Sequence, residues 1–374
     1  MSLERAPPST SSALTGVLEP NNLRLLFGAG NAIADVAREL RVDAAFARIV
    51  VRAFVPALAH EPYRVVPREI FPPARPFDAP ALHGKKVGLV ASGGSGALAS
   101  LCGVHRALEE AGVEVAEISA CSGAVLFASL WALGKSADEM ARFWLALRTR
   151  DYVDPDWRAL ARGARRRFRG WTGILGGEAL EQTFRACFGD LALGDLPIPL
   201  SAPVWNVDLN RLEYIGTRET PDMPIARAVR VAVSIPIFVH AVRVGEHLYG
   251  DGGVVNVFPT RAIADSDVDV AVGVNCYFPP GFAGEDITGW EEQSWSILRA
   301  SNQLRSCVHL ELAREQARLL GSRLLLLEPI PYTEIRGARF YETFLDRSRW
   351  LDFMRRGHTF ARQALAAPPD LAGA

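Results

Sequence analysis

Between residues 86 and 134 the chain alternates in a way that few folds accommodate. Residues 86–91 (KVGLVA) are a short apolar run, read as a buried strand, and they end in the glycine cluster Ser92-Gly93-Gly94-Ser95-Gly96. Leu101, Val104 and Leu108 then recur at helical spacing, with Gly112 as a stop signal. Residues 113–118 alternate as a second strand, Ser119 to Gly123 make a turn, and an apolar helix runs to Gly134. Strand, glycine loop, helix, strand, tight turn and helix together predict an α/β fold with a largely parallel sheet. A chain of 374 residues is long enough to bury such a sheet without disulfides or metal.

The flanking segments complete an outline. Residues 1–21, rich in Ser, Pro and Thr, read as a disordered tail. Residues 22–83 read as a helical extension, over about 22–58, followed by a Pro-rich connector. The main domain is expected over residues 84–366, with a short tail at 367–374. Inside it, residues 135–200 read as mostly helical, and further strands are expected at 204–207, 212–215, 268–274 and 324–327. A long amphipathic helix is expected over roughly 290–320 and a last one from about 340 to 366.

Bulk charge narrows the partners. The formal net charge is −1, so nothing in the balance argues for nucleic acid, and attraction to a membrane would need a local patch. The five cysteines are odd in number, scattered and without C-x-x-C spacing, which fits reduced thiols and no zinc site. The N-terminus lacks the basic start and apolar run of a secretory signal. No stretch of about 18 uncharged apolar residues is present. The expected location is the cytoplasm, with peripheral contact at a membrane surface as an additional expectation.

Three short constellations carry chemistry. A serine hydroxyl becomes a useful nucleophile when a sharp turn exposes it near a base and beside oxyanion donors. Ser122 lies in such a turn, between strand and helix, with Ala120 and Ala124 where the usual elbow has glycines. As a bare string A-C-S-G-A is more often an ordinary turn; the strand before it and the helix after it raise its weight. The loop Gly93-Gly94-Ser95-Gly96 would let backbone amides converge on negative charge at a helix start. The same loop also reads as the dinucleotide fingerprint G-x-G-x-x-A, with Glu114 or Glu117 as the ribose acid. That rival predicts a strand ending on its acid, whereas this strand runs on into the Ser122 turn. Far downstream, Asp251 sits in the glycine-flanked turn Tyr249-Gly250-Asp251-Gly252-Gly253, a pattern that alone is most often just a turn.

In this order the three pieces resemble the patatin-like phospholipase family. VGLVASGGSGALASLCGVHRAL (87–108) is similar to its opening block, 118–133 to its serine elbow and helix, and 234–259 to its aspartate block. Residues 196–200, the strand with Asp208, and Gly357 also have family counterparts, so the resemblance spans about 84–366. It implies a three-layer α/β/α sandwich and a Ser122–Asp251 dyad without catalytic histidine. It also implies an oxyanion hole from the loop Gly93, Gly94, Ser95 and Gly96 together with Gly123. The implied activity is hydrolysis of an ester with an apolar acyl chain, on a lipid or acyl-ester substrate and with no cofactor. Acyl transfer or thioester hydrolysis would use the same acyl-enzyme, and a non-catalytic lipid-binding relative is a third reading. The family's Arg-Gly after the glycines is replaced here by Ala97 and Leu98, and Ser95 stands for a glycine. These departures leave the dyad intact and bear on whether phospholipid is the substrate.

Other residues weigh less. Of seven histidines, only His240 and His247, just upstream of Asp251, are worth considering for a Ser–His–Asp triad. No histidine pair has metal-ligand spacing. Cys121 reads as packing. The basic-aromatic stretch 157–171 reads more readily as a solvated helix face than as a headgroup contact.

Overall fold

The computed structural model describes residues 66–156, 158–159, 169, 172–284, 297–336, 338–345 and 347–367. The tail 1–21, the helices expected over 22–58, most of the basic stretch 157–171, residues 285–296 and the end of the chain lie outside them. Strands β1 (Val87–Ala91), β2 (Val115–Ala120), β3 (Gly173–Leu175), β4 (Leu200–Asn206) and β5 (Arg211–Gly216) come first. They are followed by β6 (Ile237–Val239), β7 (Val242–Val244), β8 (His247–Asp251), β9 (Val270–Val274) and β10 (Leu324–Leu327). Apart from the small pair β3–β6, these form one sheet in the order β10-β9-β1-β2-β4-β8-β7, with β5 also on β4. The run from β10 to β4 is parallel, and β5, β7 and β8 are antiparallel. The fold is therefore α/β with a mostly parallel sheet.

Helices α1 (Ser100–Glu110), α2 (Gly123–Ala132), α3 (Ala137–Ala146), α4 (Glu178–Phe188) and α5 (Ile225–Ala232) precede α6 (Arg261–Ala264) and α7 (Ile297–Leu320). Then come α8 (Tyr332–Ile335), α9 (Ala338–Leu345) and α10 (Trp350–Ala366). The two-residue period of β1 divides them into two layers. Val87, Leu89 and Ala91 point into a core shared with Leu101 and Val104 of α1, Val125 of α2 and Phe353 of α10. Val90 points the other way, to a second core with Ile263 of α6 and Ala313 and Leu320 of α7. Both faces of the sheet are covered, as a parallel sheet requires.

The last helix differs from the continuous one expected over 340–366. It is interrupted by a short turn, Arg347–Arg349, between α9 and α10. Arg347 is buried there, and its guanidinium donates to the Trp144 carbonyl (2.7 Å), the Leu145 carbonyl (3.2 Å) and the Leu147 carbonyl. Those oxygens end α3 and have no partner within their own helix. Before β1, the Pro-rich connector from residue 66 onward lies against the sandwich. Ile70, Phe71 and Leu82 are buried in the main core, and carbonyls of Arg68, Ile70 and Arg75 accept from Arg142 (2.7 Å), Arg355 (2.9 Å) and Arg362 (2.6 Å).

Candidate active site

The register of β4 brings two distant turns together. Strand β5 occupies one edge of β4 along Ser201–Asn206, so β2 and β8 share the other. β2 pairs with Leu200 and Ser201 in parallel, while β8 pairs with Val204 to Asn206 from the opposite direction. The C-terminal ends of β2 and β8 therefore point at each other across Ala202 and Pro203. Ser122 follows the first end and Asp251 closes the second. Gly252 crosses directly over the Pro203 carbonyl, where a Cβ would collide.

At this meeting point Ser122 Oγ donates to Asp251 Oδ2 at 2.5 Å. Both residues are buried, at 7% and 2% exposure, so bulk water scarcely reaches the pair. Ser122 is held at φ 53, ψ −129, outside the ordinary regions for a residue with a side chain. Such a conformation costs on the order of 1–3 kcal/mol and persists where surrounding structure imposes it. Here β2 and the apolar helix α2, with nine of its ten residues buried, anchor the turn from both sides. Ala120 and Ala124 are fully buried in that bend, so alanine serves where glycine was the usual choice.

Asp251 Oδ1 accepts the Gly253 amide at 2.7 Å. Burial dominates its ionisation and pushes its carboxyl up to about 7, against the lowering effects of the Ser122 hydroxyl, the Gly253 amide and the Arg305 charge. A carboxylate titrating near neutrality is matched to accepting a proton at neutral pH. Cys121, next to the serine, is fully buried, and burial first and the Asp251 charge second hold its thiol well above its usual range. It is a packing residue and no rival nucleophile.

The glycine loop follows β1, beside the start of α2. The Gly93 amide donates to the Val257 carbonyl at 2.8 Å, so it is occupied and unavailable as the oxyanion donor that the sequence reading expected. The amides of Gly94, Ser95, Gly96 and Gly123 have no such backbone acceptor among the described residues. The Ser95 hydroxyl instead accepts from Thr343 Oγ1 (3.3 Å), tying the loop to α9. Neither Glu114 nor Glu117 faces this loop as a ribose acid would. Glu117 is taken up in a two-pronged pair with Arg218 (2.6 and 2.9 Å), and β2 continues past it into the Ser122 turn.

The two histidines singled out from sequence lie elsewhere. His240 contacts Thr172 Oγ1 (2.9 Å) and Asp156 (3.6 Å), and His247 begins β8, opposite Val244. Sequence reasoning passed over His309 on α7, which is buried against the Asp251 turn, 3.0 Å from the Val254 carbonyl. Arg305, one helical turn earlier on the same face, supplies the charge felt at Asp251. The only sequence signal for either was their four-residue spacing on a long helix. Among the described residues no three His, Cys, Asp or Glu side chains group as metal ligands.

The site thus brings together a buried serine at a strained elbow, a carboxylate bonded to it and a loop whose Gly94, Ser95 and Gly96 amides lack backbone acceptors among the described residues. Residues 89–264 match the family model described as patatin-like phospholipase. An uncharacterized NTE family protein of Mycobacterium tuberculosis is 26% identical over 317 residues, 78% of this chain and 48% of its own length. A second from the same species is 26% identical over 187 residues, 49% of this chain and 47% of its own. The chain thus spans about half the length of the curated relatives it matches. Among solved structures, VipD from Legionella pneumophila aligns at 15% identity with a TM-score of 0.44, over 83% of this chain and 72% of that one. ExoU from Pseudomonas aeruginosa, in complex with SpcU, aligns at 18% identity with a TM-score of 0.35, over 67% and 53%.

Proposed function

We propose that the protein is a serine acyl hydrolase in which Ser122 is the nucleophile and Asp251 its base, cleaving lipid esters with an apolar acyl chain. The observation that carries this is the 2.5 Å bond from Ser122 Oγ to a buried carboxylate whose burial holds it near neutrality. As Ser122 Oγ attacks the ester carbonyl carbon, its proton passes to Asp251. The carbonyl oxygen gains charge beside the amides of Gly94, Ser95, Gly96 and Gly123 and the start of α2. One such donor contributes about 3–4 kcal/mol in hydrolases of this kind. Collapse expels the alcohol, which takes the proton from Asp251. Water, deprotonated by the same carboxylate, then attacks the acyl carbon, and as the acid leaves, Ser122 Oγ takes the proton back from Asp251.

The match of residues 89–264 to the patatin-like phospholipase family model supports a lipid substrate. Among the described residues no helix is long and apolar enough to cross a membrane. The test is a fluorophosphonate probe together with a panel of p-nitrophenyl esters, phospholipids and acyl-CoA. Wild-type protein should label and turn over esters, and Ser122→Ala should do neither. Labelling that persists in Ser122→Ala would refute the assignment. Product analysis with added alcohol distinguishes hydrolysis from acyl transfer.

A further inference from the structure

Arg230, near the end of α5, is only 3% exposed, yet no carboxylate lies within ion-pair distance of it among the described residues. Burial pulls its guanidinium below its usual range, against the more distant charges of Glu178, Asp154 and Glu181. A buried cation without a direct partner is costly, so its retention calls for a reason.

The reason lies in what its planar fork reaches. Nη1 donates to Ser234 Oγ at 2.6 Å, and Nη2 donates to the His240 carbonyl at 2.8 Å and to the Gly176 carbonyl. These acceptors belong to three separate segments: the turn after α5, the end of β6 and the end of β3. Gly177, at φ 87, carries no Cβ where one would strike the guanidinium. The Ser234 hydroxyl donates back to the Arg230 carbonyl at 2.8 Å. The Ser234 carbonyl in turn accepts the amide of Asp251 at 3.0 Å. Ile237, the first residue of β6, is held at φ 75, a conformation that a β-branched residue adopts only under constraint.

We infer that Arg230 is a positioning residue for the reaction. Through Ser234 it fixes the backbone of Asp251, and so the placement of the carboxylate against Ser122. This rests on Asp251 acting as base at Ser122. Arg230 reaches Asp251 through the Ser234 hydroxyl and backbone, so the action is geometric. Small displacements of a positioned base lower the chemical step without weakening substrate binding.

The experiment is steady-state kinetics of Arg230→Lys, Ser234→Ala and the double variant. Each is assayed well below its unfolding midpoint and corrected for the folded fraction measured by circular dichroism. Lysine keeps the charge but loses the fork. Each single change should lower kcat about 10- to 100-fold with KM changed less than about threefold and the acidic limb of the pH profile unmoved. The double variant should be no worse than the weaker single one, because both break one chain of contacts. Wild-type kcat in Ser234→Ala, multiplicative losses in the double variant, or losses explained wholly by unfolded protein would overturn the inference. Wild-type labelling in Ser122→Ala would overturn the dyad itself, and this role with it.

Discussion

At the scale of single residues, the proposed role of Asp251 as base links activity and stability in opposite directions. Its folded pKa of about 7 lies above the ordinary 3.8, chiefly through burial, so the native protein retains a proton that the unfolded chain gives up. Stability therefore falls as pH rises through the window from about 4 to 7 and stays at the lower level above it. The base form, in contrast, is populated only as pH passes 7. We expect kcat/KM to rise with a single-proton acidic limb near pH 7. Asp251→Asn should abolish turnover while raising stability at pH 8 by about 4 kcal/mol, a gain that vanishes below pH 4. An asparagine can keep both contacts, accepting from the Gly253 amide and donating to Ser122 Oγ. Denaturant unfolding of both proteins at pH 4 and pH 8, with a pH–rate profile, checks the two together. An equal stability difference at both pH values would remove the burial argument.

At the scale of elements, legibility followed how local the causes are. The β1 loop, the Ser122 turn and the Asp251 turn were readable because each is written in a few adjacent residues. The strand that carries Asp251 was not. HLYGD is half polar, and β8 owes its existence to pairing with β4, a contact made far away in sequence, with β7 added on its other edge. Arg230 was invisible for a similar reason, since an arginine in a helix reads as exposed until three carbonyl and hydroxyl partners are known. The break at Arg347 likewise depends on α3, two hundred residues earlier in the chain. Gly357 shows the reverse case, a residue noticed in sequence whose cause only the packing supplies. Helices α1 and α10 cross where Gly103 faces the Met354 carbonyl and Gly357 faces the Ser100 carbonyl, leaving no room for a Cβ on either. Gly357→Ala must force the two backbones apart and should cost about 1–3 kcal/mol. A lowered unfolding midpoint, with kcat per folded molecule unchanged, is the expected reading. An unchanged midpoint would show that the helices can part freely.

At the scale of the whole molecule, the sandwich has two unequal cores, and the larger is closed by chain that precedes the first strand. Ile70, Phe71, Ala79 and Leu82 are at most 6% exposed, and they meet the same core as α1 and α10. Three arginines on the helical layer, Arg142, Arg355 and Arg362, donate to the carbonyls of this segment. A Pro-rich stretch has few amides to pair within itself, so its free carbonyls suit such clamps. Burying a large apolar side chain contributes about 1.5–3 kcal/mol, so Ile70, Phe71 and Leu82 together contribute several. The segment therefore belongs energetically to the sandwich and does not merely lead into it. Two deletions test this. One removes residues 1–65 and keeps these side chains; the other removes 1–83. The longer deletion should be the less stable of the two by about 5 kcal/mol in denaturant unfolding, a loss large enough to leave it partly unfolded at 37 °C. If the two deletions unfold at the same denaturant concentration, the connector contributes nothing to the core and its contacts with α1 and α10 are incidental.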